Sequence, residues 1–563
     1  MIALVNPPNP PDRVSNKEMM GGFGQCYPPE CDVKVPPIDL PYVAAVLRNL
    51  KARVKVIECL GSELSLEDLL AELQKDEFMM VCIRTSTSTF SWDTEVASQI
   101  KKRVGSTILF FGPHVNIMPD NVIAHPSVDA IVLGEPEHTI GELSTARFIN
   151  TPGIWYKAEG KVIKNDPRAL IANLDDLPFP AWDLLPYSEY TIGGLMPDDH
   201  TTLLLQTSRG CPFGCNYCPY PVAQGSIYRK RSPKNVLDEI GWLVKKFGVK
   251  NILFRDAEFT LDKKRVEDIC KGLIDLNYGV FWRCETRVDT LDETLVEVMH
   301  KAGCIGINMG IESRSKEICK QSSRKPLRDS HIKKVIRKCQ QLGIGTFCFF
   351  IVGLPGDDRS SVLETIDYAV ALSADNSQFT VATPYLGTPL YYWAAKNNFI
   401  EDFELDRITG FESIMRNENL NSEQMQLFRD GAQATVDIAK NRKLAGKIKE
   451  LKEDRSLLSS FMKRYFSTFR SKGIREVAVY GTKGISIPGI KKAGFKVLAV
   501  VDGNEVGSLI DSMTVLTPEI IKPIKPQAVF ISPFKSAVSI ENFIDRNTVV
   551  ADPLAKLKNF LIR

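Results

Sequence analysis

Three cysteines lie close together in the segment RGCPFGCNYCPY, at positions 211, 215 and 218. Cys211, Cys215 and Cys218 are separated by three and then two residues, a spacing that can fold three thiolates around one point. A structural zinc site usually takes four protein ligands, and a 4Fe-4S ferredoxin site takes four cysteines. Three cysteines without an obvious fourth therefore predict an iron-sulfur cluster with one iron free to bind a substrate. A zinc site or a set of packed thiols is the alternative.

This spacing, with Tyr217 directly before the last cysteine, resembles the signature of the radical S-adenosylmethionine superfamily. The resemblance implies that the three cysteines hold a 4Fe-4S cluster, that Tyr217 lies beside the cofactor, and that the open iron binds S-adenosylmethionine. It further implies that an electron from the reduced cluster cleaves S-adenosylmethionine to methionine and a 5'-deoxyadenosyl radical. That radical removes a hydrogen atom from an unreactive carbon.

Length and composition limit the remaining possibilities. The 563 residues are too many for one core and predict about three or four domains. A net charge of +3 argues neither for nor against a polyanionic partner, and we expect no nucleic acid. The cysteine count of 13 is odd, and the opening MIALVNPP is typical of a buried strand, so we expect a reducing cytoplasm. The longest apolar run, FCFFIVGL, is far shorter than the roughly 20 residues of a membrane span.

The first 150 residues alternate short apolar runs with helical patterns. The runs predicted as strands are 2–5, 54–57, 79–83, 108–111 and 130–133. This alternation predicts a doubly wound parallel sheet, which binds ligands at the carboxyl ends of its strands. The loops at those ends provide the predicted cofactor-binding residues Asn6, Pro7, Thr85, Ser86, Gly112, His114, Gly134 and Glu135.

The order of these segments resembles the cobalamin-binding domain that precedes the barrel in cobalamin-dependent radical S-adenosylmethionine enzymes. The matching segments are the proline-rich first loop, the helix PPIDLPYVAAVL, the GPH turn and LGEPEHTIGEL. The chain departs from other cobalamin proteins because this region lacks the Asp-x-His-x-x-Gly motif: His114 lies in the GPH turn and His138 at a helix start. The resemblance implies cobalamin without a lower axial histidine. A Rossmann-like domain that binds another nucleotide, or nothing, is the alternative.

Residues 151–200 predict a hairpin around Glu159-Gly160 and then an ordered linker rich in proline and aromatic residues, which ends near Asp199-His200. From 201 to 390, six further strand-helix patterns predict a partial (β/α)6 barrel. Loops after the strands of such barrels build the active site, and the cysteine segment follows the first of these strands.

The loops after the other barrel strands also resemble the radical S-adenosylmethionine superfamily. The implied cofactor residues are Asp256, Glu258, Glu285, Arg287, Glu312, Gly353, Leu354, Pro355 and Tyr385. By resemblance, Asp256 and Glu258 contact the amino group of S-adenosylmethionine, because a carboxylate pairs with an ammonium. The loops together frame its carboxylate, ribose and adenine, whereas Tyr385 contacts cobalamin or substrate. The alternative for each residue is an ordinary salt bridge or turn.

The signal weakens after the barrel. Residues 391–472 are predicted to be helical, and 421–472 hold 12 Lys and Arg against 6 Asp and Glu. That surplus suits an anionic substrate, a lipid surface or simply a solvated helix face. Residues 473–563 predict a small Rossmann-like domain with Gly481, Gly484 and Asp502 at nucleotide positions, but the glycine fingerprint is incomplete, which favours a docking or substrate-recognition domain.

The complete pattern predicts an α/β chain: a doubly wound cobalamin-binding-like domain, a TIM-type partial barrel, a helical segment and a small Rossmann-like domain. The resemblance implies methylation of an unactivated carbon in a small molecule or natural product, with flavodoxin or ferredoxin as reductant. A radical rearrangement, cyclisation or oxidation with the same cofactors is a second hypothesis. A module that binds iron-sulfur or zinc without catalysis is a third.

Overall fold

The computed structural model describes residues 1–27, 33–145, 148–192, 196 and 201–453, together with six strands between residues 476 and 551. The chain divides into two compact units, Met1–Asp437 and Ile438–Arg563. The first predicted domain and the predicted barrel therefore belong to one compact unit.

The first unit opens with the sheet that the alternating pattern predicts. The strands of residues 1–192 are β1 (Ile2–Asn6), β2 (Val14–Asn16), β3 (Gln25–Tyr27), β4 (Val33–Lys34), β5 (Val54–Glu58), β6 (Met80–Arg84), β7 (Thr107–Phe111), β8 (Ala130–Val132), β9 (Ile154–Ala158), β10 (Lys161–Lys164) and β11 (Thr191–Ile192). Of these, β2 pairs with β3 and β4 with β11 in two small separate sheets. The helices of this region are α1 (Asp39–Asn49), α2 (Cys59–Ser62), α3 (Leu66–Gln74), α4 (Phe90–Arg103), α5 (Pro113–Ile117), α6 (Pro119–Ala124) and α7 (Pro136–Leu143). The sheet order is β10-β9-β8-β7-β6-β1-β5, with parallel pairing from β8 to β5, which confirms the doubly wound fold.

This sheet is buried because its two faces carry apolar side chains that pack against apolar clusters. The residues of β1 are all buried, and apolar clusters cover the two faces separately, as parallel sheets require. The predicted hairpin is present as β9 and β10, and β9 pairs antiparallel with β8. The hairpin therefore extends the first sheet instead of lying between the domains.

The linker is ordered, as its aromatic residues predict. Trp182 is fully buried, and Leu174 and Tyr190 lie in the same apolar core as the barrel strands. Val35 and Tyr42 from the first domain belong to that core too. One continuous apolar core thus joins the two parts of the first unit.

The barrel contains β12 (Thr202–Leu205), β13 (Ser208–Arg209), β14 (Arg229–Lys230), β15 (Asn251–Phe254), β16 (Phe281–Arg287), β17 (Cys304–Glu312), β18 (Gly345–Val352) and β19 (Asn376–Val381). Its helices are α8 (Tyr220–Gln224), α9 (Pro233–Phe247), α10 (Lys263–Leu276), α11 (Glu293–Lys301), α12 (Lys316–Gln321), α13 (Asp329–Leu342) and α14 (Arg359–Leu372). Six parallel strands pair in the order β12-β15-β16-β17-β18-β19, which confirms the partial barrel.

Local capping explains why the barrel helices begin and end where they do. Ser232 accepts a hydrogen bond from the Asn235 amide at 3.2 Å at the start of α9, and Gly248 ends that helix with φ +65°. Asp262 caps α10 in the same way.

The prediction of helix throughout 391–472 is wrong for residues 397–421. Helix α15 (Pro389–Lys396) and helix α16 (Ser422–Glu453) flank a loop with one 3-10 turn, Leu405–Arg407. A bridge between Ile400 and Met415 closes this loop. Asn417 in this loop donates hydrogen bonds to the carbonyls of Leu354 and Asp357, so tertiary contacts of polar side chains replace helical hydrogen bonds.

The second unit contains the end of α16, residues 438–453, and six described strands: β20 (Glu476–Tyr480), β21 (Lys496–Val501), β22 (Leu509–Ile510), β23 (Met513–Leu516), β24 (Ala528–Ile531) and β25 (Val549–Ala551). Their order is β22-β23-β21-β20-β24-β25, parallel except between β22 and β23. The predicted nucleotide positions Gly481, Gly484 and Asp502 lie outside the described residues. Within the described part of the chain, no helix combines the length and apolar character needed to cross a membrane.

Candidate functional site

The cysteines lie on a loop whose base is a two-stranded ribbon. Strands β13 and β14 pair antiparallel, and the Cys211 amide donates to the Gly225 carbonyl at 3.1 Å inside the loop. Gly210 has φ +81°, and a Cβ there would lie 2.2 Å from the Ile227 carbonyl oxygen. Only glycine allows the loop to close this tightly.

The three thiols are free, and none forms a disulfide. Cys211 and Cys215 are buried and Cys218 is partly exposed; burial raises the pKa of the Cys211 and Cys218 thiols. Among the described residues, no three Cys, His, Asp or Glu side chains are arranged to hold a single metal ion. That finding concerns a single ion, so the expectation that the three thiolates surround one iron-sulfur cluster stays a prediction. In a cubane each thiolate binds a different iron, and binding releases the thiol protons.

Arg287 lies against the cysteine loop. Its Nη1 donates to the Cys215 Sγ at 3.6 Å, and its guanidinium lies 4.1 Å from the centre of the Phe213 ring. Asp289 accepts hydrogen bonds from the other guanidinium nitrogens at 2.9 and 3.0 Å. The resemblance implied a role for Arg287 around S-adenosylmethionine, which stays a prediction. The structure places the positive charge of Arg287 beside Cys215.

Tyr217 and Glu312 meet through an arginine that the sequence did not indicate. Arg324 Nη1 donates to the Tyr217 hydroxyl at 3.3 Å and lies 3.4 Å from Glu312 Oε1. Glu312 has φ +69°, a conformation that is strained for a residue with a side chain. Arg324 stands in QSSRKPL, a segment without any motif, so no sequence signal could have identified it.

The two carboxylates after β15 hold the loops of the barrel. Asp256 accepts hydrogen bonds from the amides of Thr207 and Ser208 at 2.7 and 2.6 Å. Glu258 accepts from the Arg287 amide at 2.8 Å and from the Thr290 hydroxyl at 3.0 Å. Both side chains are buried. These carboxylates therefore bind donors of the chain, and their expected role at the amino group of S-adenosylmethionine stays a prediction.

Glu285 is the acidic residue at this rim that keeps contact with solvent, with 24% of its side chain exposed. Arg255 Nη1 donates to Glu285 Oε1 at 3.1 Å, and the Tyr220 hydroxyl donates to Oε2 at 3.5 Å. Tyr220 begins the helix that follows Cys218. The pair Arg255 and Tyr220, which sequence reasoning missed, thus joins Glu285 to the cysteine loop.

The predicted turn Gly353-Leu354-Pro355 follows β18 and is buried. Gly353 has φ +87°, and its amide donates to Asp357 Oδ2 at 2.9 Å. Burial raises the pKa of Asp357 to about 6. Leu354 belongs to an apolar cluster against which Tyr217 packs, so this turn reaches the cysteine loop.

The carboxyl edge of the first sheet is polar but uncharged. Asn6 Nδ2 donates to Glu58 Oε1 at 2.7 Å, while Asn6 Oδ1, Ser88 Oγ and His114 Nε2 are buried without a hydrogen-bond partner in the described structure. Such atoms are costly unless something binds them. Burial lowers the pKa of His114 to about 4, so its imidazole is neutral at pH 7. The edge therefore fits a large, uncharged polar ligand.

Other predicted residues of this edge hold its shape. The Thr85 amide donates to the Phe111 carbonyl at 2.9 Å, and the Ser86 hydroxyl lies 2.9 Å from that of Thr89. Gly112 has φ +120°, and a Cβ there would lie 2.3 Å from the Thr85 carbonyl oxygen. The Gly134 amide donates to Asn116 Oδ1 at 2.7 Å. Pro7 is buried at the end of β1.

Glu135 is the exception at this edge. Arg229 Nη1 donates to both carboxylate oxygens of Glu135 at 2.9 and 2.8 Å, and Arg209 Nη1 donates at 3.0 Å. The carboxylate is thus paired with two arginines of the barrel, and the expectation that Glu135 binds a cofactor stays a prediction.

An apolar group lies between the sheet edge and the barrel. We call it the junction cluster: Phe23, Tyr385, Leu386, Ile408 and Ile414. The rings of Phe23 and Tyr385 meet edge to face at 5.6 Å. Ile117, from the helix after Gly112, and Val222, from the helix after Cys218, pack against the same group. Tyr385 therefore stands where the two predicted cofactor faces approach each other.

Comparison with known proteins supports a cofactor site at the cysteine loop and another at the edge of the first sheet. The Radical SAM superfamily matches residues 205–369 and the B12 binding domain matches residues 30–144. An uncharacterized methyltransferase of Pyrococcus horikoshii is 32% identical over 424 residues, which cover 74% of this chain and 88% of the relative. The chain belongs to the cobalamin-dependent radical S-adenosylmethionine family. Its cofactors are a 4Fe-4S cluster, S-adenosylmethionine and cobalamin.

Two further matches extend this assignment. The anaerobic magnesium-protoporphyrin IX monomethyl ester cyclase of Rubrivivax gelatinosus is 30% identical over 337 residues, covering 57% of this chain and 59% of the cyclase. The solved structure of the radical S-adenosylmethionine methyltransferase TsrM from Kitasatospora setae, with cobalamin and a 4Fe-4S cluster bound, matches with a TM-score of 0.57. At 19% identity, over 70% of this chain and 74% of TsrM, that likeness establishes the fold of a family member.

The residues present fit both resident groups of the family. Three free thiols on a glycine-closed loop, one of them beside Arg287, suit a cluster of iron and sulfide. Three buried polar atoms without partners, on Asn6, Ser88 and His114, suit the amide-rich periphery of a corrinoid.

Proposed function

We propose that this protein is a methyltransferase that adds a methyl group to an unactivated carbon of a small molecule. The observation that carries the proposal is the junction cluster, because Ile117 from the helix at the sheet edge and Val222 from the helix after the cysteines both pack against it. The name of the Pyrococcus horikoshii methyltransferase, of which this chain covers 88%, supports the same reaction.

When bound, the cluster with S-adenosylmethionine supplies hydrogen abstraction, and cobalamin supplies the methyl group. The chain has to position these groups and exclude water. Arg287 places a positive charge beside Cys215, whereas Asp256 and Glu258 fix the loops on either side. Tyr385 and Phe23 provide an apolar wall that keeps water from the reacting carbon.

Anaerobic product analysis tests the proposal. The reconstituted full chain is incubated with S-adenosylmethionine, hydroxocobalamin and dithionite, and a library of candidate substrates. Methylation produces S-adenosylhomocysteine together with 5'-deoxyadenosine and a product heavier by one methylene. Failure to form any 5'-deoxyadenosine with a full cluster would exclude every radical reaction, including this one.

Radical cyclisation or another oxidative rearrangement is the second candidate. The observation in its favour is the 30% identity with the magnesium-protoporphyrin cyclase. Here 5'-deoxyadenosine forms without S-adenosylhomocysteine. The same chromatogram therefore separates the two reactions.

The reductant and the compartment are part of the proposal. We infer a flavodoxin or ferredoxin as electron donor, because the cluster needs a low-potential electron. A reducing cytoplasm suits the 13 cysteines, whose free thiols would otherwise oxidise.

A further inference from the structure

Two arginines form the base of the cysteine loop. Arg209 on β13 lies directly opposite Arg229 on β14, and the loop between them carries all three cluster cysteines. Both side chains are at most 9% exposed. Two like charges opposite each other on paired strands repel, and burial increases the cost. The ribbon therefore needs negative charge from elsewhere in the protein.

The first domain provides that charge. Glu135 accepts from Arg229 at 2.8 and 2.9 Å and from Arg209 at 3.0 Å, while Glu137 accepts from Arg209 at 2.6 Å. The Glu135 carboxylate also accepts from the Ile171 amide in the linker at 2.7 Å. Glu135 thus touches the linker and both strands of the ribbon from its place on the cobalamin-binding domain.

Few residues separate this ionic contact from the cysteines in the sequence. Arg209 is two residues before Cys211, and only Gly210 lies between them. The Ile227 carbonyl leaves no room for a side chain at Gly210, so only glycine fits there. The backbone at Gly210 therefore links the position of Arg209 directly to that of Cys211. Arg229 Nη2 also donates to the Gln224 carbonyl at 3.1 Å, next to the residue that binds the Cys211 amide.

We propose that Glu135, assisted by Glu137, is a positioning residue that fixes the cluster-binding loop through Arg209 and Arg229. The carboxylate of the cobalamin-binding domain neutralises the base of the loop. An ionic contact, in addition to the shared apolar core, then fixes the two cofactor sites relative to each other. This inference rests on the cluster assignment, but it does not require that the reaction be a methylation.

Hydrogen exchange of the metal-free full chain gives the first test, because it measures the loop before any cofactor binds. Glu135→Gln keeps the shape of the side chain and removes its charge, which leaves the buried Arg229 without its ionic partner while Arg209 keeps Glu137. We expect exchange in peptides covering residues 208–230 to become about tenfold faster or more, since an unpaired buried charge is strongly destabilising. Peptides covering β6 and β7 should keep the wild-type rate. Equal acceleration throughout the first sheet, or none in 208–230, would overturn the proposal.

Two further variants keep the test specific. Glu67→Gln removes an exposed glutamate of the first domain that pairs with Arg103, and it should change no peptide in 208–230. Adding Arg229→Gln to Glu135→Gln removes the cation that lost its ionic partner and should restore slower exchange. Failure of this second change to restore protection would mean that the charge balance is not what fixes the loop.

The cluster itself provides the second readout. After anaerobic reconstitution, Glu135→Gln should bind at least twofold less iron per chain and give a broader electron paramagnetic resonance signal than wild type. Corrinoid absorbance should stay stoichiometric. Wild-type iron content and spectrum in Glu135→Gln would show that the contact does not position the cluster, whatever the exchange result. Neither readout depends on product, so a failed methylation assay leaves this test intact.

Discussion

The two parallel sheets of the first unit present opposite chemistry at the same topological position. The carboxyl edge of the barrel is rich in charge, with Arg287, Arg324, Glu312 and Glu285 around the cysteine loop. The carboxyl edge of the first sheet exposes no free charge to its ligand face, since its open atoms belong to neutral side chains such as Ser88 and His114.

Charged residues do occur beneath the first sheet edge, but they neutralise one another. Lys17 Nζ lies 2.7 Å from Asp93, and Arg84 Nε lies 2.7 Å from Asp39. In both sheets the topology places the binding loops at the carboxyl edge. The charge of the side chains on those loops then determines which cofactor the edge suits. A charged edge suits a cluster and the zwitterion of S-adenosylmethionine, and an uncharged polar edge suits cobalamin.

Removing a cysteine ligand should have the largest effect and should affect the barrel edge alone. Cys211→Ala, Cys215→Ala and Cys218→Ala should each abolish cluster iron and 5'-deoxyadenosine formation, because each loss removes one anchor of the cluster. Corrinoid binding at the first sheet should persist. Cys270→Ala, in a buried cysteine of α10, should retain iron. Full iron content in any of the three ligand variants would contradict the assignment.

Gly112→Ala should damage the other edge. A Cβ at Gly112 would lie 2.3 Å from the Thr85 carbonyl, so we expect a loss of about 2 to 4 kcal/mol of unfolding free energy and weaker corrinoid binding. Gly105→Ala is the matched control, since Gly105 also has positive φ but no atom within 4 Å of its added Cβ. It should cost only about 1 kcal/mol. Equal losses in a denaturant titration would mean that the close approach to Thr85 is unimportant.

Arg287→Gln should make the cluster harder to reduce. Loss of the cation beside Cys215 favours the oxidised cluster, so we expect the midpoint potential to fall by about 60 mV, equivalent to tenfold for one electron. Arg287→Lys keeps the charge and should recover most of that shift. An electron paramagnetic resonance redox titration measures both. An unchanged potential in Arg287→Gln would remove Arg287 from the cluster environment.

The last prediction concerns the stability of the first sheet edge in acid, and its effect is confined to low pH. The pKa of His114 falls from 6.5 to about 4 because the imidazole is buried, so the unfolded chain binds a proton that the folded chain does not. Stability from this group is complete above pH 6.5 and decreases as the pH falls toward 4, by up to about 3 kcal/mol. His114→Gln should lose that pH dependence in urea titrations, whereas His138→Gln, at an exposed position, should keep it. Identical pH profiles for wild type and His114→Gln would contradict the neutral, buried imidazole.

Sequence patterns predicted the elements well wherever a local repeat specified them. The strands around Val5, Ile83, Leu203 and Phe379 lie where apolar runs predicted them, because buried parallel strands need apolar residues on both faces. The loop at 397–421 was predicted to be helical. Its polar side chains instead bind distant backbone groups, a contact that no local pattern reveals.

Sequence motifs indicated candidate loops for the site but did not show which protein groups each side chain contacts. Asp256, Glu258 and Glu135 were expected at cofactors, and the structure adds that they bind donors of the protein. Arg324 was missed because its partners Tyr217 and Glu312 are distant in the sequence, and charge pairing becomes visible only when the chain is folded.

The sequence by itself indicated the three cysteines as cluster ligands and the alternation of strands and helices that brings loops to each sheet edge. These features depend on neighbouring residues, whose spacing the chain carries directly. Tertiary structure alone decided which charges stay open and which are neutralised, as in the pairing of Glu135 with Arg209 and Arg229. The physical reason is that a buried charge requires a partner, and the partner is whichever opposite charge the fold brings within hydrogen-bond distance.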